Sequence, residues 1–114
     1  MIFLEISLYP NGCINCLKAR GHSNSGKKGY DIICAAVTAL TRTTARLLSE
    51  DKSIVVNGNA PEPGMLDITI QALPAARTEW IKGITDFLLK GLFDLKEEYP
   101  DRLNIKLWRR KYGT

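Results

Sequence analysis

Aliphatic residues recur at every second position from Ile2 to Leu8, and this two-residue period limits the fold more than any other feature. Side chains two residues apart lie on one face of a strand, so the segment predicts a half-buried β-strand. Pro10-Asn11-Gly12 follows, and an Asn-Gly pair tolerates the positive φ angles of a tight hairpin. The chain therefore starts with a β-hairpin whose second strand we expect over residues 13–20.

The rest of the chain switches between two periods. Residues 32–50 and 75–98 carry apolar residues at helical spacing, and they predict two long helices. Segments 53–56, 65–73 and 103–107 are apolar or alternating, and they predict strands. The element order is β-β-α-β-β-α-β. The short hairpins favour an α+β fold in which a mainly antiparallel β-sheet packs against two long helices.

Gly83, Gly91 and Trp108 are best explained by close packing against another element or another chain. Gly83 and Gly91 interrupt the second predicted helix, where each glycine costs about 1 kcal/mol relative to alanine. Close packing of another element, or of another chain, would account for them. Trp108 is one residue out of phase with the apolar residues of the last strand, so we expect it on the opposite face. There it would cover a dimer contact or a second layer of the sheet.

Length, charge and cysteine content narrow the class of protein. The chain has 114 residues, which is enough for one domain over 1–114 without disulfides. Three cysteines cannot all pair, so we expect a reducing, cytoplasmic compartment. No signal peptide is recognisable, and the apolar stretch 32–40 is too short to cross a membrane. The net charge is +4, and basic clusters at 18–28 and 109–111 leave contact with RNA open.

The candidate nucleophile is Cys34, and the one histidine, His22, lies twelve residues before it in a glycine-rich segment that predicts a mobile loop. We expect Asp31 to be the N-cap of the first helix, which would place Cys34 in its first turn. Free N–H groups and the helix dipole favour the thiolate there, and the thiolate is the reactive form. A nearby histidine can hold the thiolate and later donate a proton.

Helical spacing places a threonine, Thr38, on the same helix face as Asp31 and Cys34. Asp31, Cys34 and Thr38 share one helix face at i, i+3 and i+7, and such a small polar face suits the wall of a groove. Asp31 either orients His22 or only caps the helix. Each residue also has an ordinary explanation, because a cysteine among alanines is often a small buried hydrophobe and a loop histidine is usually solvated.

Cys13 and Cys16 form a single CxxC pair, a spacing that also occurs in metal and redox sites. Within a strand the two side chains point to opposite faces, so they could not chelate one ion together without a bulge or turn. His22 and Cys34 would complete a set of four ligands. A single pair favours a space-filling role for both cysteines, and we expect no metal and no cofactor.

A resemblance to a known family strengthens the catalytic reading. The residues that carry it are Gly21-His22, Gly29 and the run Asp31-Ile32-Ile33-Cys34-Ala35-Ala36-Val37-Thr38-Ala39-Leu40. This pattern resembles the signature of the bacterial ribosomal-processing cysteine protease family, Prp. The match is dense over residues 21–40, with mild departures at Ser23, Ile33 and Thr38.

The resemblance implies a cysteine endopeptidase whose dyad is His22 and Cys34. It also implies a homodimer, a flexible loop beside the site, and substrate contacts from Gly21, Gly29 and Thr38. The substrate that the family implies is large-subunit ribosomal protein twenty-seven, from which a short N-terminal extension is removed after aromatic residues.

Acyl transfer is the reaction that this dyad would perform. The Cys34 thiolate attacks the scissile carbonyl, and backbone N–H groups at the helix start, including that of Cys34, hold the oxyanion. His22 protonates the leaving amine and then activates water to hydrolyse the thioester. The alternative hypothesis is a non-catalytic ribosome- or RNA-associated binding module.

Overall fold

The computed structural model describes residues 1–21, 28–60 and 65–112, without the side chains of residues 28–31 and 72. Five strands and two long helices lie within these ranges. Their bounds are β1 Ile2–Leu8, β2 Ile14–Arg20, α1 Lys28–Glu50, β3 Val55–Asn59, β4 Met65–Ala72, α2 Thr78–Glu98 and β5 Leu103–Arg109. A short 3₁₀ turn, Ala75–Arg77, leads into α2.

The strands form one mixed sheet in the order β3-β4-β2-β1-β5. The β1–β2, β2–β4 and β3–β4 pairs are antiparallel, whereas β5 joins β1 in parallel. A parallel neighbour needs a long return connection, and α2 carries the chain back before β5 begins. The predicted element order and the α+β class are confirmed, with one parallel pair at an edge of the mainly antiparallel sheet.

The first hairpin turns through three residues. The Tyr9 N–H donates to the Cys13 carbonyl at 2.8 Å, and the Gly12 N–H donates to the Tyr9 carbonyl at 2.9 Å. Gly12 has a φ of 90°, and Asn11 stays at negative φ, so only one residue of the expected Asn-Gly pair adopts the left-handed conformation. The register of β1 and β2 shifts between Ser7 and Leu8. This irregularity starts β2 at Ile14, one residue later than predicted.

Strand β3 lies later in the chain than predicted. The sequence indicated a strand over 53–56 and a loop from Asn57, because glycines and prolines follow. Pairing with β4 instead continues to Asn59. Gly58 permits the close approach, since a Cβ at that position would collide with the carbonyl oxygen of Asp67 on β4.

Both helices contribute to one hydrophobic core with the sheet. Its members from β1 lie at every second position, as the two-residue period predicts, and on the other face Phe3 is exposed, Glu5 is half-buried and Ser7 is buried. Its members from the long elements include Ile2, Leu4, Ile6, Leu8, Leu17, Ile33, Val37, Leu48, Ile68, Ile70, Ile81, Leu88, Leu92 and Leu103. On the opposite face of the sheet, Phe3 and Trp108 are each 46% exposed. Trp108 therefore lies opposite the core, as its phase in β5 predicts.

The apolar part of helix α1 is longer than the stretch 32–40. Residues Ile32–Glu50 have a mean hydropathy of 1.2 and are long and apolar enough, by length and composition alone, to cross a membrane. A core helix of a soluble protein has the same properties, and Ile33, Val37 and Leu48 belong to the core.

Candidate active site

Cys34 is the seventh residue of α1 and is half-buried at the edge of the core. The helix turns its fully buried face, with Ile33 and Val37, toward the sheet. A residue adjacent to that face in the sequence is rotated by about 100° from it, as the 3.6-residue turn requires. The Cys34 thiol is therefore supported by core contacts on one side and reachable from the other.

The N-cap position predicted for Asp31 is wrong. Helix α1 begins at Lys28, so Asp31 is its fourth residue, and the Asp31 side chain lies outside the described part of the structure. An acidic residue is favourable both at a cap and in the first turn, where the positive end of the helix dipole attracts it. The same sequence signal therefore fits both positions, and the choice between them needed the backbone.

The earlier helix start also changes the candidate oxyanion donors. In an α-helix each N–H donates to the carbonyl four residues before it, and only the first four N–H groups lack such a partner. Cys34, as the seventh residue of α1, lies in the second turn and not in the predicted first turn, and its N–H points to the Tyr30 carbonyl inside the helix. The expectation that Cys34 would use its own N–H for an oxyanion is therefore wrong.

Three of the predicted site residues, Gly21, His22 and Gly29, lie near the start of α1 in the sequence. His22 and the rest of 22–27 lie outside the described residues. Gly21 ends the preceding segment with a φ of 111°, and a Cβ there would collide with the carbonyl oxygen of Met1. Gly21 thus has a structural reason to be glycine. Gly29 is the second residue of α1, and its surroundings lie outside the described part.

Thr38 lies one turn after Cys34 and lines a cavity of about 330 Å³ between α1 and β4. The other lining residues are Ala39, Arg42, Thr43, Ala45 and Arg46 of α1 and Leu66 of β4. A guanidinium N–H of Arg42 donates to the Met65 carbonyl at 3.4 Å and links α1 to the start of β4. Sequence reasoning did not identify the two arginines, although the i+4 spacing from Cys34 through Thr38 continues to both.

Cys13 has a very different environment from Cys34. Its side chain is 0% exposed, and its Sγ lies 3.5 Å from the Thr78 carbonyl oxygen. Burial raises the pKa of the Cys13 thiol, and the nearby Lys82 ammonium lowers it to a smaller extent. The adjacent Ile14 N–H donates to the Thr85 hydroxyl at 3.0 Å, which fixes the start of β2 under α2. Cys13 therefore fills space in the core.

Cys16 is half-buried on β2, with its Sγ 3.6 Å from the Thr69 hydroxyl of β4. Cys13 contacts the start of α2 instead, so the two CxxC thiols contact different elements. Among the residues described, no group of three or more His, Cys, Asp or Glu side chains could hold a metal ion.

Comparisons with known proteins show which family and which solved structures this chain resembles. The family model described as cysteine protease Prp matches residues 1–104. None of the curated proteins compared with the chain matches it. Three similar solved structures are SMU.848 from Streptococcus mutans and two of Prp from S. aureus, one with a substrate peptide and one with a covalently linked product peptide.

The likeness to these structures extends over nearly the whole chain. SMU.848 has 22% identity and a TM-score of 0.77, and the match covers 96% of each chain. The S. aureus complex with a substrate peptide has 20% identity and a TM-score of 0.76, and the complex with a product peptide has 21% and 0.74. In both cases the match covers 94% of this chain and 99% of the other.

These findings define the class first, which is that of a cysteine protease with an α+β fold. The family follows from the long match to its model: the chain belongs to the cysteine protease Prp family. The resemblance read from residues 21–40 is confirmed.

Proposed function

We propose that this chain is a single-domain endopeptidase of 1–114 in which Cys34 is the nucleophile and His22 its acid–base partner. The observation that carries the proposal is the half-buried Cys34 thiol, one helical turn from the cavity that Thr38 lines. Such a cavity is a suitable size for part of an extended peptide. The S. aureus relative with a covalently linked product peptide supports a covalent mechanism.

The proposed substrate is the N-terminal extension of large-subunit ribosomal protein twenty-seven. The S. aureus relative is an essential ribosomal processing protease, and this supports the same substrate class for the present chain. Family membership favours this function over a non-catalytic binding module. A cytoplasmic location and the absence of a cofactor are parts of the same proposal.

The proposed reaction is a two-step acyl transfer. The Cys34 thiolate attacks the scissile carbonyl carbon, and backbone N–H groups at the start of α1 stabilise the oxyanion that forms. His22 donates a proton to the leaving amine as the C–N bond breaks, which leaves a thioester on Cys34. His22 then accepts a proton from water as the water attacks the thioester, and the carboxylate product and the free thiol are released. Asp31 orients His22 in this scheme.

The test is cleavage of a peptide that carries the ribosomal-protein extension, followed by mass spectrometry. Wild type and Cys16→Ala should cut once, after the aromatic residues, whereas Cys34→Ala should give no cut. Cys16 is the matched control, because it too is a half-buried thiol but lies on β2. Equal cleavage by Cys34→Ala and wild type would contradict the proposal.

A homodimer formed through the helical layer is the second part of the proposal. A cavity of about 490 Å³ runs between α1 and α2, and its walls include Leu40, Leu47, Trp80, Gly83 and Phe87. Phe87 is 73% exposed, and among the described residues no atom outside the adjacent helix backbone lies within 4 Å of a Cβ built on Gly83. A two-fold contact uses the same patch on both copies, so a protruding ring beside an open glycine suits a second copy of this chain.

Light scattering coupled to gel filtration tests this contact. Wild type should elute as a dimer, and Phe87→Lys should elute as a monomer, because a charge would be buried in an apolar groove. Phe93→Lys is the control, since Phe93 is 40% exposed on α2 and does not line the cavity. A monomeric wild type, or a dimeric Phe87→Lys, would rule the contact out.

A further inference from the structure

The face of the sheet opposite the core carries an ordered set of side chains, which we call the open face. Residues that pair across β5, β1, β2 and β4 form its rows. The first row is Asn104, Phe3, Arg20 and Met65, the second is Lys106, Glu5, Lys18 and Asp67, and the third is Trp108, Ser7, Cys16 and Thr69. Neighbouring strands lie about 4.8 Å apart, so each row is a contiguous surface.

Two aromatic side chains lie on the open face. Phe3 on the interior strand β1 and Trp108 on the edge strand β5 are each 46% exposed. Trp108 on β5 pairs with Ser7, which is four residues from Phe3 along β1, so the Cα atoms of Phe3 and Trp108 are roughly 14 Å apart. Exposed rings on a sheet are platforms on which unpaired bases stack.

The charges around these rings are mainly positive. Lys18, Arg20, Lys106 and Arg110 are exposed, and Glu5 and Asp67 are the acidic members of the same region. Lys18 and Lys106 flank Glu5 on its two neighbouring strands. Arg20 reaches Glu5 at 3.5 Å, a distance typical of a weak, solvent-screened ion pair. The region therefore keeps an excess of positive charge that suits phosphate groups.

A cavity beside Trp108 gives the face a place for a single base. Its volume is about 370 Å³, and Trp108, Lys18 and Arg110 are among its walls. Glu5, Cys16 and the buried Ser7 and Asn15 also line it, and the Ser7 hydroxyl donates to the Asn15 Oδ1 at 3.0 Å. The cavity therefore offers a ring on which a base can stack and polar groups at its base, and its two cations outnumber its one carboxylate.

We infer that the open face binds single-stranded nucleic acid, with Trp108 stacking on a base and Lys18, Lys106 and Arg110 contacting phosphates. A duplex would not bind this way, because its bases are already stacked and paired. The inference concerns β1, β2 and β5, and it does not depend on Cys34 chemistry on α1.

The test is fluorescence anisotropy with labelled ten-nucleotide RNA and DNA single strands of the same mixed sequence, and with the matching duplexes. Wild type and Cys34→Ala should bind both single strands more tightly than the duplexes. The logarithm of the affinity should fall with the logarithm of salt with a slope of about −2 to −3, since each phosphate contact contributes about −0.7.

Variants locate the binding on the open face. Trp108→Ala should weaken binding roughly tenfold, whereas Trp108→Phe should retain most of it because a stacking ring remains. Lys18→Ala combined with Lys106→Ala should reduce the slope by about 1.4. Phe93→Ala and Lys90→Ala remove an exposed ring and an exposed charge from α2, and they should bind like wild type.

The inference would be overturned by no binding of single strands at low salt, by duplex binding as tight as single-strand binding, or by a Trp108→Ala variant that binds like wild type while its circular dichroism is unchanged. Equal losses of affinity in Phe93→Ala and Trp108→Ala would also contradict it, because binding would then not be specific to the open face.

Discussion

Cys13 and Cys34 are both free cysteines that contact the hydrophobic core, but their surroundings differ. Cys13 is fully buried between β2 and the start of α2, where burial raises the pKa of its thiol. Cys34 is half-buried on α1, one turn from the cavity that Thr38 lines. The position of a thiol relative to the core, and not its sequence motif, therefore decides whether it can meet a substrate.

The largest expected difference between the two thiols is in their reaction rate with iodoacetamide. Under native conditions Cys34 should be alkylated on the order of 100-fold faster than Cys13, because Cys13 must wait for local unfolding. Peptide mapping by mass spectrometry over a time course measures both rates. The difference in rate should disappear in denaturing urea. Equal rates under native conditions would contradict the conclusion that Cys34 is accessible and Cys13 is not.

Replacement by alanine should cost more stability at Cys13, the less reactive thiol, than at Cys34. Cys13→Ala removes a sulfur atom from a fully packed position and should lower the free energy of unfolding by about 1–2 kcal/mol. Cys34→Ala should change it by less than about 1 kcal/mol, because the thiol is partly solvated and alanine favours the helix. Urea unfolding followed by circular dichroism checks both values. A larger loss for Cys34→Ala would show that Cys34 is the core residue.

The two glycines of α2 are a second pair whose surroundings differ. A Cβ at Gly91 would lie 3.0 Å from a methyl carbon of Leu40 on α1, whereas a Cβ at Gly83 meets nothing within 4 Å. In the monomer, Gly83→Ala should therefore stabilise the fold by up to about 1 kcal/mol, and Gly91→Ala should not. Unfolding at low protein concentration tests this, and a Gly83→Ala variant that destabilises the monomer would contradict it.

The smallest expected effect concerns charge and not packing. Asp51 accepts hydrogen bonds from the hydroxyl and N–H of Ser53, and Arg77 donates to it at 2.6 Å. The Ser53 bonds lower the pKa of the Asp51 carboxyl most, and Arg77 adds to the effect. A lowered folded-state pKa gives stability that is present above the unfolded value and lost as pH falls through the folded one.

The thermal midpoint should therefore depend less on pH in Asp51→Asn than in wild type over the acidic range below about pH 4. Glu98→Gln is a suitable control, because Glu98 is an exposed carboxylate at the end of α2. If the thermal midpoints of wild type and Asp51→Asn depend on pH in the same way below about pH 4, the Asp51 carboxylate does not contribute to stability.

Local patterns predicted much of the fold. The two-residue period of β1 and the helical spacing in α1 and α2 are properties of short segments, and the element order follows from them. The strand order does not, because the parallel contact of β5 with β1 joins residues about a hundred positions apart. The end of β3 depended on Gly58 fitting against β4, a contact that no local pattern contains.

The candidate site divides in the same way. Helical spacing placed Cys34 and Thr38 on one face of α1, and the structure keeps them one turn apart. Helix α1 begins at Lys28, three residues before the cap expected at Asp31. The position of Asp31 in the helix and the candidate oxyanion donors therefore differ from the prediction. Arg42 and Arg46 became site candidates only when β4 supplied the other wall of the cavity.

The most direct test of the central claim is to identify the cysteine that a substrate-like electrophile modifies. A peptide chloromethyl ketone that ends in the aromatic residues of the ribosomal-protein extension would be incubated with wild type and with Cys16→Ala, and the adduct mapped by tandem mass spectrometry. We expect one adduct per chain in both proteins, on Cys34, blocked by prior addition of excess substrate peptide. An adduct on Cys16 or Cys13, or none on Cys34 while the reagent remains intact, would contradict the assignment of Cys34 as the nucleophile.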